Sequence, residues 1–289
     1  MQITEVLEKL NIHFRKEGED HHARQGWIQV ECPWCGKDTG KHHLGFSTNF
    51  GNVNCWKCGV HRTGDTLALA SGHSLGYCLS LLKGFVPSHY KEEKLLGRLT
   101  IPNGVNSLSQ AHIKYLRGRG FHPNHIVQLW DIKGIGIASE LSWSLFIPIY
   151  LHGKIVSWTT RSIADRGGRY SSASRSEEAY HHKDLLYGGD YVRGSTIVCE
   201  GPTDVWRIGP GAVATLGLSY TTAQIYELGK IPRRTICFDR GKAAQDRAKK
   251  LAKLLCSLPG ETQVVELESG EDPDTADSEE LEQLRKVLE

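Results

Sequence analysis

The sequence predicts a multidomain chain of mixed α+β and α/β class: a small cysteine-built ribbon first, a basic α/β segment next, and a mostly parallel sheet last. Three observations predict it. Two C-x2-C pairs lie between Cys32 and Cys58, basic residues interleave with aromatics from 107 to 194, and short apolar strands alternate with helices from Ser195 onward. At 289 residues the chain exceeds a typical single domain, and its 39% apolar content can supply real cores. No run of about 18 apolar residues occurs, and MQITEVLEKLNIHFRKEGED lacks the apolar stretch and cleavage site of a signal peptide. A soluble, cytoplasmic protein without a membrane partner is expected.

The ribbon comes first. CPWCG (Cys32 to Gly36) and CWKCG (Cys55 to Gly59) are separated so that nineteen residues lie between Cys35 and Cys55. Two thiolates three positions apart bind one ion only if the backbone curls around it, and the glycine after each second cysteine permits the curl. Four thiolates, Cys32, Cys35, Cys55 and Cys58, complete a tetrahedron with no open position, so one structural zinc is expected. His42, His43 and His61 are rival donors, His61 the first substitute. The intervening KHHLGFSTNFGNVN reads as short strands turning at Asn49 to Asn52. Trp34, Phe46, Trp56 and Lys57 either build a tiny core at the metal or present a stacking, charged face to single-stranded nucleic acid. Cys78, Cys199, Cys237 and Cys256 sit in apolar runs and read as buried small hydrophobes.

Residues 1–84 are assigned to this module and 85–106 to a tether, because Phe85 to Gln110 carries Pro87, Gly97, Pro102 and Gly104 without apolar periodicity. Residues 107–194 form the basic segment, which includes Lys114, Arg119, Arg161, Arg166 and Lys183 among Tyr, Trp and His. That mixture suits a groove for single-stranded DNA and an RNA–DNA hybrid.

From 195 to 289 the order is STIVCE strand, TDVWRIG helix, AVATLG strand, RTICFD strand, the amphipathic helix KAAQDRAKKLAKLLC, QVVELE strand, and a short acidic helix SEELEQLRKVLE. Acids fall where strands end: Glu200 with Asp204, Asp239, and Asp272 with Asp274. In such sheets ligands bind outside the carboxyl ends of strands, so these acids are expected in one crevice. Each alone could be a turn former or helix cap. Three clusters on successive strands instead call for a divalent cation, magnesium or manganese, with a phosphate substrate. Lys230 to Lys253 holds nine basic residues against Asp239 and Asp246, hidden in a net charge of +2, and suits either a polyanion or a solvated face.

These motifs resemble the DnaG-type bacterial and phage primases, in which a zinc-binding domain precedes a toprim-containing RNA polymerase domain. The resemblance runs through CPWCG, CWKCG and GDTLALA (Gly64, Asp65, Leu67), then HIKYLRGRGF, FIPIYLHGKIVSWTTR, RYSSASRSEEAY and HKDLLYG, then the EGxxD, aspartate strand end and DPD of a toprim unit. It implies a primase that makes short RNA primers from NTPs on single-stranded DNA, in the cytoplasm of a bacterium or a phage-infected host. By the same resemblance, Glu200, Asp239, Asp272 and Asp274 hold two catalytic Mg or Mn ions, and Arg161, Arg169, Tyr170 and Lys183 contact nucleotide or primer–template. Trp34, Trp56 and Lys57 would touch template. One departure is plain: Asp239-Arg240-Gly241 stands where the family has Asp-x-Asp, and Asp246 lies about two helical turns on. The remaining acids are expected to suffice, with weaker hold on a second ion. No G-x4-G-K-[ST] occurs, so a replicative helicase would be a separate partner. A toprim nuclease and a non-catalytic, primase-derived DNA-binding protein are the alternatives.

Overall fold

The computed structural model describes residues 1–19, 23–36, 40–85, 97–137, 140–164 and 170–289. Compactness divides the chain into two units. One comprises Met1–Lys91, Thr222–Ile236 and Lys242–Val265; the other comprises Glu92–Thr221, Cys237–Gly241 and Glu266–Glu289.

The first unit opens with α1 (Ile3–Lys9), which buries Ile3, Val6 and Leu7. Five short strands follow, β1 (Phe14–Arg15), β2 (Trp27–Val30), β3 (Leu44–Ser47), β4 (Val53–Cys55) and β5 (Gly59–His61), paired antiparallel in sequence order. The expected turn at Asn49 to Asn52 joins β3 to β4. The ribbon's core is small: Val30, Leu44, Phe46 and Val53 are all fully buried. Phe46 thus belongs to the core, whereas Trp34 and Trp56 do not. Helices α2 (Thr63–Ser71) and α3 (Leu75–Lys83) complete the module, and Cys78 is buried inside α3 as expected.

In the second unit a five-stranded antiparallel sheet is built from β6 (Val105–Asn106), β7 (Lys133–Ile135), β8 (Ser144–Leu151), β9 (Lys154–Ser162) and β10 (Tyr170–Ser172), in the order β10-β9-β8-β7-β6. Pro148 of β8 pairs with Trp158 of β9, and because β7 pairs only with Ser144–Phe146 its other flank carries no ladder partner. Helices α4 (Gln110–Gly118) and α5 (Pro123–Trp130) precede β7. A Cβ at Gly134 would meet the His112 ring at 2.7 Å, so glycine lets α4 lie against β7. Ile135, Phe146, Trp158 and Ala173 form the core of this layer, with Leu99 and Val105 against it. Within the expected tether, residues 86–96 lie outside the described residues. At its far end β6 is this sheet's edge strand, and Thr100 O accepts from Trp158 Nε1 at 2.9 Å.

The third sheet carries the strand–helix alternation: β11 (Ser195–Cys199), α6 (Pro202–Ile208), β12 (Ala212–Ala214), α7 (Thr222–Gly229), β13 (Arg233–Ile236), α8 (Lys242–Leu255), β14 (Glu261–Val264) and α9 (Ser278–Lys286). Its strands pair parallel within each unit, β11 with β12 in the second and β13 with β14 in the first. Cys199 and Cys237 are buried as expected, while Cys256 is only half-buried. No helix among the described residues is long and apolar enough to cross a membrane.

Candidate active site and metal centre

The zinc-type centre assembles from two knuckles. Cys32 Sγ lies 3.6 Å from Cys58 Sγ, and Cys35 Sγ lies 3.6 Å from Cys55 Sγ. The edge of a tetrahedron with about 2.3 Å metal–sulfur bonds is about 3.8 Å, so the four thiols fit one zinc. The Lys57 and Cys58 amides donate to Cys55 Sγ at 3.4 and 3.5 Å. Burial opposes ionisation of this thiol, but those N–H groups lower its pKa to about 7. His61 Nε2 sits 3.1 Å from Cys58 Sγ, beside the thiol set, and its ring stacks on Trp34 at 4.8 Å. Trp34 is 47% and Trp56 50% exposed, and Lys57 is exposed too. The three predicted template contacts are therefore available at the surface.

The second site lies within the second unit, in an open cleft of about 250 Å³ lined by Arg119, Thr159, Arg161, Tyr170, Ser172, Glu200, Thr203, Asp204, Asp239 and Asp272, and by the Gly201-Pro202 and Leu216-Gly217 backbones. Glu200 and Asp239 lie just past β11 and β13, whereas Asp204 is carried by α6 and Asp272 by the loop after β14. Glu200 follows β11, and its Oε1 accepts the Asp239 N–H at 3.1 Å. Asp204, in the first turn of α6, accepts the Gly201 N–H at 2.9 Å and is almost wholly buried. Asp272 caps its own turn through Thr275.

Crowding shows in the protonation chemistry. Burial, then the neighbouring Asp239 and Asp272, push Glu200 up to about 7. Burial raises Asp204 to about 8 against the Gly201 N–H, with Asp239, Asp272 and Glu200 adding to it. Burial and Asp272 raise Asp239 to about 6. Carboxylates held this close without a counter-charge resist ionisation, and a dication removes that penalty. The donors are all hard oxygens, which suit magnesium or manganese.

Asp274 stands apart from the other acids. It does not line the cleft; its buried carboxylate pairs with Arg119 and, at 2.9 Å, with Arg207. Arg161, 5% exposed, does line the cleft and is clamped: Nε donates to Tyr115 Oη at 2.7 Å and a terminal nitrogen donates to Tyr170 Oη. Lys183 lies beside the cleft, where its ammonium donates to the Leu216 carbonyl, and burial lowers its pKa. Leu216 holds φ +60°, a strained conformation for a non-glycine residue. The turn bearing Lys183 is fixed by the fully buried Glu178, which accepts from Ser157 Oγ at 2.8 Å and His182 N at 2.9 Å and bonds both His181 and His182 rings. Arg166 and Arg169 lie outside the described residues.

Residues 197–276 match the family model described as Toprim-like. Among solved structures, the Aquifex aeolicus primase (zinc-binding and RNA polymerase domains) matches 100% of this chain and 82% of its own, at 19% identity and TM-score 0.53. The RNA polymerase domain of Mycobacterium tuberculosis primase DnaG covers 62% of this chain and 76% of its own (18% identity, TM-score 0.52). This chain has the DnaG primase fold. A DnaG primase catalytic domain bound to ssDNA is similar over 61% of this chain and 71% of its own, at 18% identity and TM-score 0.52. No curated protein matches the sequence.

Within this primase fold, Tyr115 organises the cleft without being singled out by the sequence, and Arg119 is singled out only as one of many groove cations. Tyr115 Oη accepts from Arg161 and also from Arg119 at 3.2 Å, so one hydroxyl orients two guanidinium groups. Tyr115 and Arg119 both lie in the YLRGRG motif, but nothing local links them to Arg161, 46 residues beyond Tyr115. Tyr115→Phe is expected to cost about 1–3 kcal/mol in urea unfolding, because it orphans the donor of a buried arginine. A change below about 0.5 kcal/mol would show that the clamp does not hold Arg161.

Proposed function

We propose that this protein is a DNA primase that joins NTPs into short RNA primers on a single-stranded DNA template. The observation that carries the reading is the convergence of Glu200, Asp204, Asp239 and Asp272 with Arg119 and Arg161 in one cleft of a toprim-like unit. Glu200, Asp239 and Asp272 would hold magnesium or manganese, which when bound would activate a 3′-hydroxyl and neutralise departing pyrophosphate. Asp204 supports Glu200 through the Gly201 turn. Arg161, preset by its two tyrosines, supplies a rigid fork for triphosphate oxygens without reorganising. Lys183, partly desolvated, adds a point charge at the cleft edge. Asp274 acts through Arg119, steering that guanidinium at the cleft wall. Arg169 and Tyr170 would contact nucleotide or primer–template, and the zinc module would meet template through Trp34, Trp56 and Lys57. The ssDNA-bound relative supports a DNA template, and a separate helicase is the expected partner. Domain limits of 1–84, 85–106, 107–194 and 195–289 belong to this reading, as does action in the cytoplasm.

Incubating the protein with single-stranded DNA, labelled NTPs and magnesium or manganese, then resolving products, tests it. Short oligoribonucleotides support the primase. Shortened DNA supports the toprim nuclease, and bound but unchanged DNA supports a non-catalytic DNA-binding protein. Gly241 gives a second handle. It is exposed and a Cβ there meets nothing within 4 Å, so Gly241→Asp is sterically free. One added charge near a surface ion is expected to lower the half-activating magnesium concentration about fivefold, equivalent to ~1 kcal/mol. An unchanged magnesium titration would exclude that position from the metal site.

A further inference from the structure

The basic excess of Lys230 to Lys253 has no role in the cleft, to which that stretch contributes Asp239 alone. Much of the excess lies on α8. This helix turns Ala244, Gln245, Ala248, Leu251 and Leu255 inward and leaves Lys242, Arg247, Lys249, Lys250 and Lys253 exposed, with Asp246 the single acid among them. At about 100° per residue, Lys242, Lys249 and Lys253 fall within roughly 40° of one another, and they are spaced about 10 and 6 Å along the axis. None of the five cations has an ion pair among the described residues. Lys249/Lys253, Arg247/Lys250 and Lys250/Lys253 are like-charge neighbours three or four residues apart, which destabilise a helix unless a counter-charge covers them.

A second observation ties this ridge to the ribbon. Just past the end of α8, Ser257 Oγ donates to the Phe50 carbonyl at 3.0 Å. Phe50 lies in the β3–β4 turn, whose Gly51 carbonyl accepts from Thr63 Oγ1 at 2.9 Å. Ridge and ribbon belong to the same compact unit, and the ribbon exposes Trp34 and Trp56. Regularly spaced cations carried with exposed aromatics are what a single strand requires, phosphates on one and bases on the other. The exposed face of α8 bears no large apolar side chain, so a membrane surface does not fit it.

We infer that the outer face of α8 docks the phosphate backbone of single-stranded DNA, as a second template contact in the unit that also carries the zinc ribbon. The inference rests on the primase reading for the identity of the strand. The test uses the full zinc-loaded chain and a fluorescent oligo-dT, with anisotropy read over a salt series. Lys242→Gln/Lys249→Gln/Lys253→Gln keeps residues of good helix propensity. Its plot of log affinity against log salt is expected to be shallower by about 2, at about 0.7 for each phosphate no longer neutralised. Asp246→Asn should bind more tightly at low salt. If the triple variant melts early, Lys249→Gln alone is expected to change the slope by about 0.7. Slopes matching the parent protein would overturn the inference. An unchanged DNA slope with abolished binding of poly-glutamate would also overturn it and assign the face to an acidic protein. A parent protein that makes primers while the variant slope stays unchanged sinks this inference alone; one that binds DNA through the ridge but joins no nucleotides sinks the catalytic reading alone.

Discussion

Glu200→Gln is expected to lower templated nucleotide joining by about 10²–10⁴-fold and to leave the melting temperature unchanged or raised. The two effects share one cause. Glu200 is an acid whose pKa burial and the adjacent Asp239 and Asp272 raise to about 7, so its charge is held against local repulsion. Glutamine keeps the shape and the acceptor for the Asp239 N–H while removing that charge. A site that stores repulsion to receive a cation gains stability when it is disarmed and loses its chemistry. Steady-state synthesis and calorimetric melting on one preparation read both halves. Full activity with an unchanged magnesium requirement would remove Glu200 from the site.

Stripping zinc, or replacing Cys55 by serine, is expected to unfold the ribbon while the second unit keeps its sheet. The ribbon strands bury only Ile28, Val30, Leu44, Phe46 and Val53 as large apolar side chains, few for a module of five short strands. Metal binding to such modules contributes about 10–16 kcal/mol in isolated zinc-finger peptides, a loss larger than the whole stability of a typical small domain. Hydrogen exchange should show protection lost from β2 to β5 and retained in β8 and β9. Initiation should fall more than extension. Retained protection across the ribbon after chelation would mean that the cysteines are not a folding metal site.

Much of this was legible because its physics is local or periodic. Two C-x2-C knuckles declare a tetrahedral site by spacing alone, and a strand–helix alternation puts Glu200, Asp239 and Asp272 beyond the carboxyl ends of strands, where they line one cleft. What stayed hidden depends on contacts between distant residues. Asp274 reads like a fourth metal carboxylate because it shares DPD with Asp272, yet the turn points the two side chains to different partners, and Arg119 lies 155 residues away. Glu178, within RSEEAYHHK, is the buried knot behind Lys183, and no local pattern marks it. Helix α7 carries little signal in the sequence, since its inward residues Gln224, Ile225 and Leu228 make only a weak apolar stripe. The Asp-x-Asp departure at Gly241 is visible in the sequence; that the position is open and exposed is not.

The most direct measurement follows the first bond. With single-stranded DNA and γ-labelled NTP, initiation keeps the label on the 5′ end of the new strand, whereas extension of an existing end releases it with pyrophosphate. Primer synthesis at this cleft is expected to yield a metal-dependent, template-dependent oligoribonucleotide that retains the γ-label and disappears with Glu200→Gln. A labelled product that persists in that variant, or cleaved DNA with no labelled product, would contradict it.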